Sequence, residues 1–200
     1  MPISKPVERD HIHTRAIQCS GYKRNDGLWD IDGYITDTKS YTFENLDRGN
    51  IPSGEPIHHM VMRITIDDNM VIHDAEASTE FAPYSICGNI TDTFKNLKGL
   101  QIGPGWRRKV NQVMGGTAGC THLRDLLMGP LAVTAYQTIV PMRKKNRPDQ
   151  ASGLPPARRP AIIGTCHAYA PDGSIVERQW PTFHEPSAGD SVSSIPEVKN

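Results

Sequence analysis

The sequence predicts an α+β fold: an antiparallel sheet of two N-terminal hairpins packed against about three helices, with a C-terminal β-hairpin arm. Three observations predict it. Apolar residues alternate with period two as far as Phe81, and they switch to helical spacing after Pro83. A proline-rich polar stretch then precedes one last extended segment. The 200 residues accordingly divide into an α+β catalytic or binding domain at 1–142, a linker at 143–160, and an arm with a mobile tail at 161–200.

The strands come first. In Gly27–Asp37, Trp29, Ile31, Gly33 and Ile35 share one parity, and Asp30, Asp32, Tyr34 and Thr36 share the other, the pattern of a half-buried strand. Asn25-Asp26-Gly27 is a turn signal, so His11–Ser20 is its expected antiparallel partner. Residues 44–55, rich in Asn, Asp, Gly and Pro, read as a loop. Pro56–Asp67 and Met70–Phe81 read as a second hairpin. Its first strand places His58, Met60, Met62, Ile64 and Ile66 on one face and His59, Val61, Arg63 and Thr65 on the other.

The helices follow. Cys87, Ile90, Phe94 and Leu97 recur at helical spacing, with Gly99 at a C-cap position. A second helix is expected over Arg107–Met114, and a third begins near Cys120 or Thr121, with Pro130 kinking or ending its first part. Residues 161–180 read as a hairpin around Pro171-Asp-Gly-Ser174, an arm for packing on a second subunit.

Composition narrows the function classes. Acidic and basic residues balance at 22 each, so no overall field attracts polyanions, and nucleic acid is not an expected partner. No apolar run reaches the roughly 18 residues a membrane helix needs, and residues 1–10 lack the apolar core of a secretory signal. Cys19, Cys87, Cys120 and Cys166 form no C-x-x-C pair, so free thiols in the cytoplasm are expected.

Seven ordered motifs carry a resemblance: His13-x-Arg15, Arg24-Asn-Asp-Gly-Leu-Trp-Asp30, Asp37-x-Lys39, Pro56-Ile-His58-His-Met60, Pro83-Tyr84-x-x-Cys87, Leu100-Gln-Ile-Gly-Pro-Gly-Trp106 and Gly119-Cys-Thr-His-Leu123. On these the chain resembles, from about residue 11 to 140, a bacterial family catalogued only as a domain of unknown function. That family has Asp after the first histidine of its His-x-Met motif. Here His59 stands there, so no role for a carboxylate carries over to that position. Less closely, the chain resembles phenylcoumaran γ-formaldehyde lyase. This implies a cofactor-free, retro-aldol-like loss of formaldehyde from a lignin-derived aromatic. The order of elements is also similar to iron–sulfur scaffold proteins, by fold-level analogy.

The candidate site residues each carry two readings. His58 faces the apolar side of its strand, either as a hydrogen-bonded core histidine or as a general base titrating near neutrality. Asp37 and Lys39 share the inward parity and form either a buried ion pair or a device that orients a reacting hydroxyl. Arg15 and Arg24 either grip a phenolate or carboxylate or make ordinary salt bridges. His122 in a first helical turn supplies a proton or a hydrogen bond. Trp29, Tyr34, Tyr84 and Trp106 could stack on a substrate ring or simply fill the core. Gly103-Pro-Gly-Trp-Arg-Arg-Lys109 offers an anion a helix start and three cations, or is a solvated helix end.

The expected function is therefore a lyase needing neither metal nor organic cofactor, with a small aromatic substrate and a homo-oligomer built through residues 161–180. A first alternative is a metal or iron–sulfur protein using Cys87, Cys120, His122 and His58. A second is a non-catalytic module that binds an aromatic ligand.

Overall fold

A computed structural model describes residues 3–146 and 158–186. The sheet has four antiparallel strands in the order β1-β2-β5-β6, made from β1 (His13–Lys23), β2 (Trp29–Lys39), β5 (Pro56–Ile66) and β6 (Ile72–Phe81). The two hairpins are those expected. The first turns at Asp26, and Gly27 adopts the left-handed backbone (φ 91°) that a tight turn needs. Residues equidistant from Asp26 face each other, so Lys23 opposes Trp29, Arg15 opposes Asp37 and His13 opposes Lys39. The stretch expected as loop carries a small hairpin of its own, β3 (Phe43–Asn45) with β4 (Gly49–Ile51).

One face of the sheet is apolar. Ile31, Ile35, Met60, Met62, Ile64 and Ile66 are buried there, as the strand parity requires. α2 (Thr121–Leu126) and α3 (Ala132–Asn146) cover this face, joined by a π-helical turn over Leu127–Leu131, and α1 (Trp106–Met114) packs beside them. Close approach needs glycine at two places. A Cβ at Gly33 would lie 3.0 Å from the Leu131 side chain, and one at Gly21 would lie 2.1 Å from Thr138 Oγ1. Pro130 explains the π turn, because its missing N–H and its ring prevent a normal α-helical turn there.

The other face is solvated, yet it is more ordered than the sequence suggests. Strand parity puts Asp30 and Asp32 on this face, yet Asp32 is buried and held by Nε and one terminal nitrogen of Arg63 at 2.7 and 2.8 Å. Asp30 accepts from Thr65 at 2.7 Å and from Arg24 at 3.1 Å.

Three further differences correct the sequence reading. The Cys87–Leu97 segment is a 3-10 run over Ser85–Leu97 rather than an α-helix. Gly88 weakens it, and Thr91 and Thr93 donate back to the carbonyls of Gly88 and Ile90, which competes with α-helical bonding. Residues 143–146, assigned to the linker, continue α3 through Pro141, while linker residues 147–157 and tail residues 187–200 lie outside the described residues. The C-terminal β-hairpin arm is not formed. Residues 161–180 contain a 3-10 turn (His167–Tyr169) and a short helix, α4 (Ser174–Gln179), which buries Val176. Residues 147–200 form a unit separate from residues 1–146. Among the described residues, no helix is long and apolar enough to cross a membrane.

Candidate acid–base site

Antiparallel pairing sets a row of side chains across three strands. Arg15 of β1 opposes Asp37 of β2, which opposes His58 of β5, and all three point to the helix-covered face. The ladder is irregular at this end, with register shifts after Asp37 and after His59. Such bulges re-aim side chains locally. His122 reaches the same place from the first turn of α2, and its ring lies 3.9 Å from that of His58, tilted by 34°.

Asp37 is the centre. Its side chain is 1% exposed, so its charge needs partners. Arg15 supplies a fork, donating from Nε to Oδ1 at 2.7 Å and from its terminal nitrogen to Oδ2 at 2.8 Å. His13 Nε2 lies 3.2 Å from Oδ1, His58 Nδ1 lies 3.0 Å from Oδ2, and His122 Nε2 lies 3.9 Å from Oδ2. Burial alone would raise the carboxyl pKa. The hydrogen bond and charge of Arg15, with help from His58, outweigh it and hold Asp37 below the usual carboxylate range.

The two neighbouring imidazoles shift in the opposite direction from a histidine simply paired with a carboxylate. Burial, then the nearby charge of His122, pushes the His58 pKa below its ordinary value despite the attraction of Asp37. Burial and then Arg15 do the same to His122, against Asp37 and Asp125. Both rings are therefore neutral near pH 7 beside an ionised carboxylate. Since Nδ1 of His58 points at that carboxylate, it carries the proton and leaves the Nε2 lone pair free.

A cleft of about 320 Å³ opens beside this row. Arg15, Ile17 and Ile35 of the sheet form one wall, Leu126, Met128, Gly129 and Pro130 of α2 and the π turn form another, and Arg107 and Asp125 complete the lining. Asp37, His58 and His122 also offer ligand atoms that all lie within 4.8 Å of one another, the residues here that could hold a cation. Cys87 is not among them, so the ligand set expected from sequence is replaced by one with a carboxylate. Cys120 Sγ instead lies 3.9 Å from Met60 Sδ and 4.0 Å from His122 Nδ1.

The sequence family described as "Protein of unknown function (DUF2889)" matches residues 13–137, which include every residue of the row and of the cleft. The chain belongs to this family. No curated protein and no solved structure matches.

Of the residues singled out from sequence, the site of this DUF2889 chain gathers Asp37, His58, His122 and Arg15. The others lie elsewhere. Lys39 does not pair with Asp37; its ammonium donates to Tyr41 Oη at 2.7 Å and sits over the Tyr41 and Phe43 rings. Arg24 is taken by Asp26 and Asp30 at the opposite end of the sheet. Trp29 is buried eight residues along β2 from Asp37, about 26 Å at strand rise, and donates to Asp68 at 2.8 Å. Tyr34 projects from the opposite face, Tyr84 is exposed ahead of the 3-10 run, and Trp106 is sealed in the core. Of the three cations in Gly103–Lys109, Arg107 lines the cleft, whereas sequence reasoning gave no role to His13, Asp125 or the Met128-Gly-Pro130 wall. Their signals were present: His13 stands one strand step from Arg15, and Asp125 stands one helical turn after His122.

Proposed function

We propose that the protein is an acid–base catalyst that cleaves a carbon–carbon bond in a hydroxymethyl-bearing aromatic, releasing formaldehyde. One observation carries the acid–base part: the Asp37–His58 pair, 3.0 Å apart, with the carboxylate 1% exposed and locked ionised by Arg15. The aromatic and formaldehyde parts rest on the motif resemblance described above. In the step proposed, His58 Nε2 takes the hydroxyl proton, and the freed oxygen pair becomes the carbonyl of formaldehyde. The electron pair of the broken C–C bond passes to the aromatic fragment. There it either takes a proton from an imidazole N–H or forms a double bond by expelling an adjacent aryloxide. No electron acceptor is needed. Asp37 keeps the His58 tautomer and steadies the imidazolium, an arrangement that contributes about 10²–10⁴-fold in comparable acid–base steps. We place the reaction in the cytoplasm, a compartment that suits four free cysteines.

The test is formaldehyde trapping from hydroxymethyl-bearing aromatic dimers. Wild type should release one aldehyde per substrate consumed, and His58→Gln should not. A wild type that releases none across the panel refutes the reaction class.

A second reading has its own observation. A two-histidine, one-carboxylate set within 4.8 Å suits a first-row divalent cation. Elemental analysis of purified protein decides between them: stoichiometric zinc or iron, lost together with activity on chelation, selects the metal.

A further inference from the structure

The cleft beside Arg15 has features that the acid–base step does not use. Its walls are mostly apolar, and its volume of about 320 Å³ is at the lower end for small-molecule sites. Two further charges line it, Arg107 and Asp125; neither makes a hydrogen bond or ion pair among the described residues, although Asp125 acts electrostatically on Arg15 and His122. Its far wall is the π turn, an uncommon element that recurs at functional sites. Within that turn, a Cβ added to Gly129 would meet no atom within 4 Å. The glycine is thus not demanded by packing; its missing side chain leaves space in the cleft.

We propose that this cleft binds a small carboxylate with an apolar body, the carboxylate on Arg107 and the body against Ile17, Met128, Gly129 and Pro130. As a statement of substrate class it rests on the acid–base reading, since Arg15 joins the cleft to Asp37; as a binding site it stands without it. Arg107 is the lining cation left free for an anion, because Arg15 is committed to Asp37 through Nε and one terminal nitrogen. Leu126 and Ile35, both buried, form an apolar floor that a charged group would not enter. The ligand is therefore polarised, its charged end toward Arg107 at the rim and its apolar body inside.

The experiment is calorimetric titration of the full chain with cinnamate and, as the uncharged counterpart, cinnamyl alcohol, alongside thermal melts. Wild type should bind cinnamate at least about tenfold more tightly than the alcohol, as expected for a charge-assisted arginine contact. Arg107→Gln should abolish that preference. Gly129→Leu should weaken both ligands at least tenfold without lowering the melting temperature, because replacing a helical glycine does not destabilise when space is free. If the leucine variant melts early, Gly129→Ala supplies the same comparison with a smaller side chain. Equal affinity for the two ligands, unaltered binding in the Gly129 variants, or no binding by wild type overturns the proposal. His58→Gln separates the two readings: it should retain wild-type cinnamate affinity while losing formaldehyde release.

Discussion

Asp37→Asn removes one charge from the centre of the site while keeping its shape. The carboxylate accepts from Arg15 on both oxygens, at 2.7 and 2.8 Å, from His13 at 3.2 Å and from His58 at 3.0 Å. Every partner is a donor, so the amide nitrogen of asparagine must face donors whichever way it flips. One side of the cluster, a guanidinium bond plus an imidazole bond, is lost. A hydrogen bond to a charged group contributes about 1.5–3 kcal/mol, and Arg15, nearly half exposed, recovers part of its loss from water. The expected destabilisation at pH 7 is therefore about 2 kcal/mol. Its pH dependence has a definite sign. The folded pKa of Asp37 is depressed, so its contribution is present above the unfolded carboxyl value, about 3.9, and is lost as pH falls through the folded value. Asparagine does not titrate. Urea unfolding of the two proteins at a series of pH values should show a gap that is full at pH 7 and closes below pH 4. A variant as stable as wild type at pH 7, or a gap independent of pH, refutes the view of Asp37 as an ionised, multiply bonded hub.

Other outcomes follow from the same structure. With the His58 pKa depressed, the base is lost only below about 6.5, so the acid limb of kcat/KM should lie under that pH, and a limb above it contradicts a neutral buried His58. Gly21→Ala drives a methyl into Thr138 and should cost about 1–3 kcal/mol in chemical denaturation, with recovery in the double variant carrying Thr138→Ala; strictly additive losses would dissociate β1 from α3. Asp32→Ala breaks the Arg63 fork on the opposite face and should cost about 1–3 kcal/mol while leaving kcat/KM at the wild-type value, which a circular dichroism melt and the formaldehyde assay together check.

Much of the site was legible because strands have a period of two. The parity of Ile31, Ile35 and Asp37 put the carboxylate inside, and that of Met60, Met62 and Ile64 put His58 beside the same apolar layer. Even the Arg15–Asp37 fork was within reach, since a hairpin centred on Asp26 pairs residues equidistant from it. The pairing of β2 with β5 was not, because the connection between them is long and carries no register information. Lys39 failed for a different reason: a long flexible chain near Tyr41 and Phe43 finds ring faces that parity does not encode. The C-terminal error was one of competing signals. Pro171-Asp-Gly173 is a turn in either reading, but Ser174-x-x-Glu177 after it is a helix-start pattern, and a helix is what forms, with no side-chain cap bond.

The composition of the cluster argues for chemistry over stability. Neutralising a buried Asp37 requires one cation, and the Arg15 fork already satisfies both carboxylate oxygens. His58 and His122 add little Coulombic attraction, because burial keeps both rings uncharged near neutral pH. Two neutral imidazoles 3.9 Å apart also cannot both become charged without repelling each other. A protein selecting only for a stable strand end would gain more from aliphatic side chains at 58 and 122, continuous with Met60 and Leu123. What two adjoining, half-buried imidazoles beside a fixed anion do supply is one proton acceptor whose charging is stabilised by Asp37, and a second ring that stays neutral and able to donate while the first is charged. That asymmetry is the requirement of an acid–base pair.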